Sequence, residues 1–265
     1  MTMSIDTHPY SDWLIRLIEA NEPYWGGEAE VIRTYWDSPV RSPATDRKWL
    51  IHQIYKEYWE GILQPLEAFR EHLPGAGVKP YRQRLLAIAE VLCEEVAHFS
   101  LFADLYQALE GVDYDLSPEE LKIQGAWKEN DKLMALRARH RSESRGLGQR
   151  ATSLTEGGHC ALFSEGMALR GRGGFEDSVA YVCGRIYEDE INHMLLGITG
   201  IDDDALSDRD WDTLLSFTVE QMKLRILMRN AQFSLPLDEA RIDELLRGQG
   251  DPVKFDFDGA RGLLQ

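Results

Sequence analysis

Apolar residues recur at intervals of three and four through most of the chain, the period of a helix with one buried face. Between residues 81 and 110 the stripe runs Leu85, Ile88, Val91, Leu92, Phe99, Phe102 and Leu105, and Gly111 closes it. A preceding helix opens at Thr45-Asp46 and runs to about Leu73, where the Pro- and Gly-rich stretch 73–80 breaks the chain. A third long helix is expected over 146–170, ended by Gly171-Arg172-Gly173-Gly174. A fourth follows directly over 175–197, with Val179, Val182, Ile186 and Met194 on its buried face. Ser207 or Asp208 starts a fifth, to about Phe233, and a short helix at 238–247 follows Pro236. Residues 1–45 read as one or two short helices, capped by Ser11 and broken at Gly26-Gly27, with Trp13, Trp25 and Trp36 packing over the main body. Section 111–145 is charged and reads as a crossover, with a helix start at Ser117-Pro118-Glu119-Glu120. Ile201–Asp204 is a loop and 248–265 an extended tail. No strand-rich region or short-period repeat is visible. The expectation is an all-α chain forming one helical domain over 1–265. Its four-helix core lies at about 46–110 and 146–197, with C-terminal helices at 207–247.

Two polar pairs interrupt these stripes. Cys93-Glu94-Glu95-Val96-Ala97-His98 places Glu95 and His98 three apart, on one helix face. Tyr187-Glu188-Asp189-Glu190-Ile191-Asn192-His193 repeats the spacing with Glu190 and His193. A carboxylate in an apolar stripe is costly to bury unless it is paired or binds a metal. One such pair is a weak signal; two, each on the second helix of a helical hairpin, match the pattern of four-helix di-metal carboxylate sites, where two further helices each add one Glu. In an antiparallel hairpin, residues equidistant from the loop share a height. The midpoint between Glu57 and Glu95 falls at residue 76, within Pro74–Gly77. Glu60 also satisfies the register. Glu57 shares its face with Leu50, Ile54 and Gly61, and Glu60 shares a polar face with Gln53, Lys56, Gln64 and Glu67, so Glu57 is favoured and Glu60 is the alternative. The midpoint of Glu156 and Glu190 lies at residue 173, in the second hairpin loop. Glu165 fails this test and lies roughly 13 Å along the helix from Glu156. His159 completes a third Glu-x-x-His with Glu156, as an additional ligand, a hydrogen-bond partner or a packed histidine. Gly157-Gly158 weakens the helix beside it, either to leave room for dioxygen or substrate, or for close packing or a local helix irregularity.

Glu57, Glu95-x-x-His98, Glu156 and Glu190-x-x-His193 resemble the six ligands of the ferritin-like, carboxylate-bridged non-haem di-iron superfamily, over about residues 46–197. The resemblance implies a ferritin-like bundle with a long crossover. It implies two iron ions, bridged by Glu95 and Glu190, with His98 and His193 on one ion each and Glu57 and Glu156 terminal. It also implies dioxygen as co-substrate and an external electron donor. Carboxylates and imidazoles suit iron and manganese, and manganese at one or both positions is compatible. Glu94, Asp104, Arg185, Glu188, Asp189 and Asn192 lie near the pairs, where some can orient the histidines. Tyr55, Tyr58 and Tyr187 are candidates for pocket lining or core packing.

Composition narrows the function. The chain has 265 residues, 43% hydrophobic and 28% charged, with a net charge of −16. Such acidity disfavours nucleic acid, including a tRNA-hydroxylating activity, and anionic membranes as partners. No apolar run reaches spanning length, and no secretion signal is read at the N-terminus. Cys93, Cys160 and Cys183 form no C-x-x-C pair and read as small core thiols in a cytoplasmic protein. The favoured expectation is a dioxygen-dependent oxygenase or oxidase acting on a small organic molecule, since length beyond a minimal bundle allows a lid and pocket. An iron-handling ferroxidase or peroxide-reducing, rubrerythrin-like protein is the alternative, and a non-catalytic helical partner subunit a further one. A homodimer is compatible with the sequence.

Overall fold

The computed structural model describes residues 11–39, 41–73 and 81–256, without the side chains of Asp202 and Asp203. Among the described residues the regular structure is entirely helical. The expected break over 73–80 and the tail end lie largely outside this range.

Helix α1, Asp12–Trp36, is capped by Ser11, whose side chain accepts from the Leu14 amide. It continues through Pro23 and through Gly26-Gly27, where a break was expected. The glycines serve an approach instead: a Cβ on Gly26 would overlap the Asp251 carbonyl, and one on Gly27 would stand 2.9 Å from Ile226 Cδ1. The tail thus lies directly on α1, and the Val253 amide donates to the Glu22 carbonyl at 3.1 Å.

Helix α2, Pro43–Lys56, starts two residues earlier than expected, because Ser42 and Thr45 form a reciprocal capping box ahead of Pro43. It widens into a π segment, Glu57–Ile62, before α3, Leu63–Arg70. Helix α4, Arg82–Glu110, ends at Gly111 in the left-handed conformation, φ 72°. Its expected face is deeply buried only from His98 onward; Leu85, Ile88, Val91, Leu92 and Phe99 are partly covered, because no residue of α3 is itself buried. The crossover consists of α5, Pro118–Gly125, capped by Ser117, and α6, Lys128–Glu143.

The helix expected over 146–170 is two: α7, Arg145–Leu154, and α8, Gly157–Met167, with a turn at Thr155-Glu156. Helix α9, Gly174–Leu195, packs on α8 and α4. Ile201–Asp204 is a short 3-10 turn; α10, Asp208–Gln232, is capped by Ser207, and α11, Glu239–Leu246, by Asp238. Helix α1 lies between α8 and α10, so the N-terminal element forms part of the core. Cys160 and Cys183 are buried, but Cys93 is exposed, because α4 turns that edge outward. No helix of the described residues is long and apolar enough to cross a membrane.

Candidate metal centre

The π segment sets the first carboxylate. Glu57 opens it and is buried, its Oε1 accepting from Gln53 Nε2 at 2.6 Å. One turn away, Gly61 removes a side chain where the Glu95 carboxylate sits; an added Cβ would overlap Oε2. Glu60 is not part of this group; Asn130 Nδ2 donates to it and it lies 3.7 Å from Lys56 Nζ. Glu57, Glu95 and His98 offer one ligand atom each, all within 4.8 Å of one another. Glu156, His159 and Glu190 form a second group by the same measure.

The two groups share their glutamates. Glu190 places Oε1 3.9 Å from His98 Nδ1 and Oε2 3.4 Å from His159 Nδ1. Glu95 places Oε2 3.9 Å from His98 Nδ1 and Oε1 3.8 Å from His193 Nδ1. Each of these carboxylates therefore spans two imidazoles contributed by different helices. The rings of His98 and His193 lie 6.4 Å apart. All six residues singled out by spacing, with His159, come together at this one place.

Both paired histidines are held from behind. His98 Nε2 is 3.0 Å from Asp189 Oδ2, and His193 Nε2 is 3.1 Å from Glu94 Oε2. Each Glu-x-x-His is thus oriented by the acid that precedes the glutamate of the other. In the neutral imidazole a carboxylate on Nε2 makes it the donor and leaves Nδ1 with a lone pair directed inward. His98 Nδ1 is buried and has no hydrogen-bond partner, which suits a metal-ligand nitrogen. Of the other polar neighbours, Asp104 lies on a groove outside the site, and Arg185 and Glu188 are exposed.

The electrostatics divide the site. Burial, together with the Glu190 charge, raises the Glu57 pKa above the ordinary carboxylate value. Burial beside Glu57 and Glu190 raises Glu95 well above it. Imidazoles offset this only in part, His98 for Glu57 and His193 for Glu95. Burial acts against the charged form of Glu156 too, but His159, Arg137 and Arg225 outweigh it and hold this group well below the usual range. Glu190 is also buried, yet His159 and His193 bring it down to about 2. Burial opposes protonation of His193, but the Glu94 hydrogen bond and the charges of Glu190 and Glu95 push it up to about 10. The residues therefore fit a pair of hard or intermediate divalent cations: glutamate oxygens, inward imidazole nitrogens, and an orphaned buried Nδ1.

The sequence reading missed the support around Glu156. The turn at Thr155-Glu156 presents its carboxylate to Arg137 Nη2 at 2.7 Å, Arg225 Nη1 at 3.3 Å and His159 Nδ1 at 2.5 Å. Arg225 and Arg229 also donate to Glu28, at 2.6 and 3.2 Å, with all three side chains fully buried. Arg229 and Gln232 donate to Gln53, which returns the network to Glu57. A signal existed: Arg225 and Arg229 lie four apart on the face of α10 that carries Met222 and Ile226. Gln53 and Lys56, read as part of a polar outer face, are buried here. Gly157 and Gly158 do not open space beside the carboxylates. Cβ atoms there would meet the Trp25 indole and the Glu28 carboxylate, so the glycines admit α1 and its acid.

A cavity of about 210 Å³ opens at the centre, lined by Glu57, Glu60, Glu95, Glu156, His159, Glu190 and His193, among others. Tyr55, Tyr58 and Tyr187 do not line it; they pack against the core. Compared with protein-family models, curated proteins and solved structures, the chain has no match in any of the three.

Proposed function

We propose that this chain is a dioxygen-dependent oxygenase or oxidase of small organic molecules, working with two iron ions in a ferritin-like bundle. The observation that carries this reading is the pair of glutamates, Glu95 and Glu190, each spanning two imidazoles, directly beside a cavity that opens to the surface. Glu57 and His98 would serve one ion, Glu156 and His159 the other, with Glu95 and Glu190 between them and His193 facing Glu95. The bundle is made of α2 with its π continuation, α4, α7 with α8, and α9. When bound, the metal pair supplies the electrons and Lewis acidity that activate dioxygen. Manganese at one position suits the same donors.

The chain's own residues do the rest. Asp189 and Glu94 fix the imidazole tautomers through Nε2 and keep both Nδ1 atoms facing inward. The Arg137–Arg225–Glu28 network anchors Glu156 from outside, while Glu57 is held by a neutral amide alone and is the freer of the two terminal acids. The cavity beside the carboxylates favours turnover of an organic molecule over iron storage or a purely structural role, since neither needs an internal space for a second reactant. Anaerobic loading with Fe²⁺ followed by oxygen-electrode measurement tests this. The expected result is rapid dioxygen uptake, enhanced by an organic substrate that is recovered oxidised. Uptake that only deposits ferric iron, with no product from any organic candidate, would transfer the reading to ferroxidase.

A further inference from the structure

Two cationic side chains face the cavity without being needed as ligands. Arg137, on α6, lines it and is 4% exposed. Its Nη2 serves Glu156 and Thr155, but its buried Nε–H has no partner. Lys56 lines the same cavity and is 3% exposed. Its Nζ lies 3.1 Å from His159 Nε2 and 3.7 Å from Glu60 Oε2, and an ammonium has three N–H donors. Both groups are thus short of acceptors in a place where buried donors normally find them.

The charge count points the same way. With the ligand histidines neutral and the acids ionised, as metal binding requires, five glutamates line the cavity against Arg137 and Lys56 and leave three negative charges. Two divalent ions turn that into one positive charge, which a single monoanion neutralises. A phosphate dianion would overshoot. No Phe, Tyr or Trp lines the space, so it offers no large aromatic face for a ring to stack on. The remaining wall includes Gln149, Thr152 and Ser153, which suit a short, partly polar chain.

We propose that the substrate of this site is a small aliphatic carboxylic acid, its carboxylate held by Arg137 and Lys56 while its chain lies across the glutamate and histidine donors. This inference rests on the two-metal reading and specifies its substrate class. Arginine and lysine take a carboxylate through charge-assisted hydrogen bonds, the strongest kind available to neutral-pH side chains. The corresponding amide offers the same shape without the charge.

The test is calorimetric binding of butyrate and of butyramide to the full chain loaded with redox-silent Mn²⁺. Butyrate should bind about tenfold or more tightly than butyramide, as expected for hydrogen bonds to charged groups. Arg137→Met and Lys56→Met should each remove most of that preference, and Arg137→Lys should retain part of it. Equal or absent binding of acid and amide to the loaded wild-type chain overturns the inference. So does a preference unchanged in both Met variants, which would put the carboxylate on the metal ions. Mn²⁺ content, measured first, separates the two levels: a chain that holds no Mn²⁺ fails at the metal reading. The wild-type comparison stands whatever the variants do to metal content.

Discussion

Gly61→Ala tests the site without touching a ligand. The added Cβ would stand 3.0 Å from Glu95 Cδ and 3.5 Å from its Cβ, and would overlap Oε2. Carbon atoms pack at about 3.5–4.0 Å, so the carboxyl end must swing away. The fold tolerates this, because the conflict is with the far end of a flexible side chain. Crowding costs about 1–3 kcal/mol, and replacing a helical glycine by alanine returns about 1 kcal/mol. The net effect on the metal-free protein is then at most about 2 kcal/mol, a Tm change of a few degrees. Metal binding responds differently. Glu95 reaches His98 through Oε2 and His193 through Oε1, so one swing spoils both relations. Disturbing even an outer partner of a metal ligand typically costs 10–100-fold in affinity, and moving a shared ligand should cost at least about that much. Competition between the protein and a chelator for Mn²⁺ reads the affinity, and melting in excess chelator reads the fold. Unchanged Mn²⁺ affinity in a folded variant would show that Glu95 is not where the ions bind.

Three further outcomes follow from the surroundings. Glu28→Gln leaves Arg229 in the core without a charged partner and Arg225 with Glu156 alone, and should cost about 3–5 kcal/mol, read as a Tm fall on the order of 10 °C; an unshifted melt would mean the network is not formed. Asp189→Asn and Glu94→Gln loosen His98 and His193, and each should lower metal affinity roughly 10–100-fold in the chelator competition while helicity by circular dichroism stays constant. The pH dependence has a definite sign. Glu57, Glu95 and His193 all titrate higher in the folded metal-free chain than in the unfolded one. Their stabilisation is complete below their ordinary values and is lost as pH rises, for His193 between 6.5 and about 10. Metal-free stability should therefore fall from mildly acidic to alkaline pH, while the Tm gain from added Mn²⁺ grows; a metal gain independent of pH would contradict proton release from these groups.

The helical class and the residues that meet at the centre were legible because both follow from spacing. Glu95 with His98, and Glu190 with His193, share helix faces whatever the tertiary packing; hairpin symmetry selects Glu156 as a partner in height, and helical phase favours Glu57 over Glu60, which the register also allows. Glu165 is excluded by the same register and in fact pairs with Arg33 at the surface. The missed features were long-range. Gly26 and Gly27 read as a helix break, and Gly157-Gly158 left free space and close packing as alternatives, because single-residue propensity says nothing about the tail, Trp25 or Glu28 that come to lie against them. The turn at Thr155-Glu156 divides a stretch whose apolar period is unbroken, and its reason, Glu156 meeting two arginines from α6 and α10, joins segments far apart in the chain. Periodicity likewise overstated the burial of the first half of α4, since the facing α3 covers it poorly.

The central claim is that acids and imidazoles from four helical segments hold two ions. Elemental analysis after anaerobic Fe²⁺ loading and desalting tests it most directly, on the wild-type chain and on Glu95→Ala, His98→Ala and Glu165→Ala. The account predicts two ions per wild-type chain, loss of most metal in Glu95→Ala and His98→Ala with the helices intact, and wild-type content in Glu165→Ala. Metal content unchanged by both Glu95→Ala and His98→Ala would contradict it.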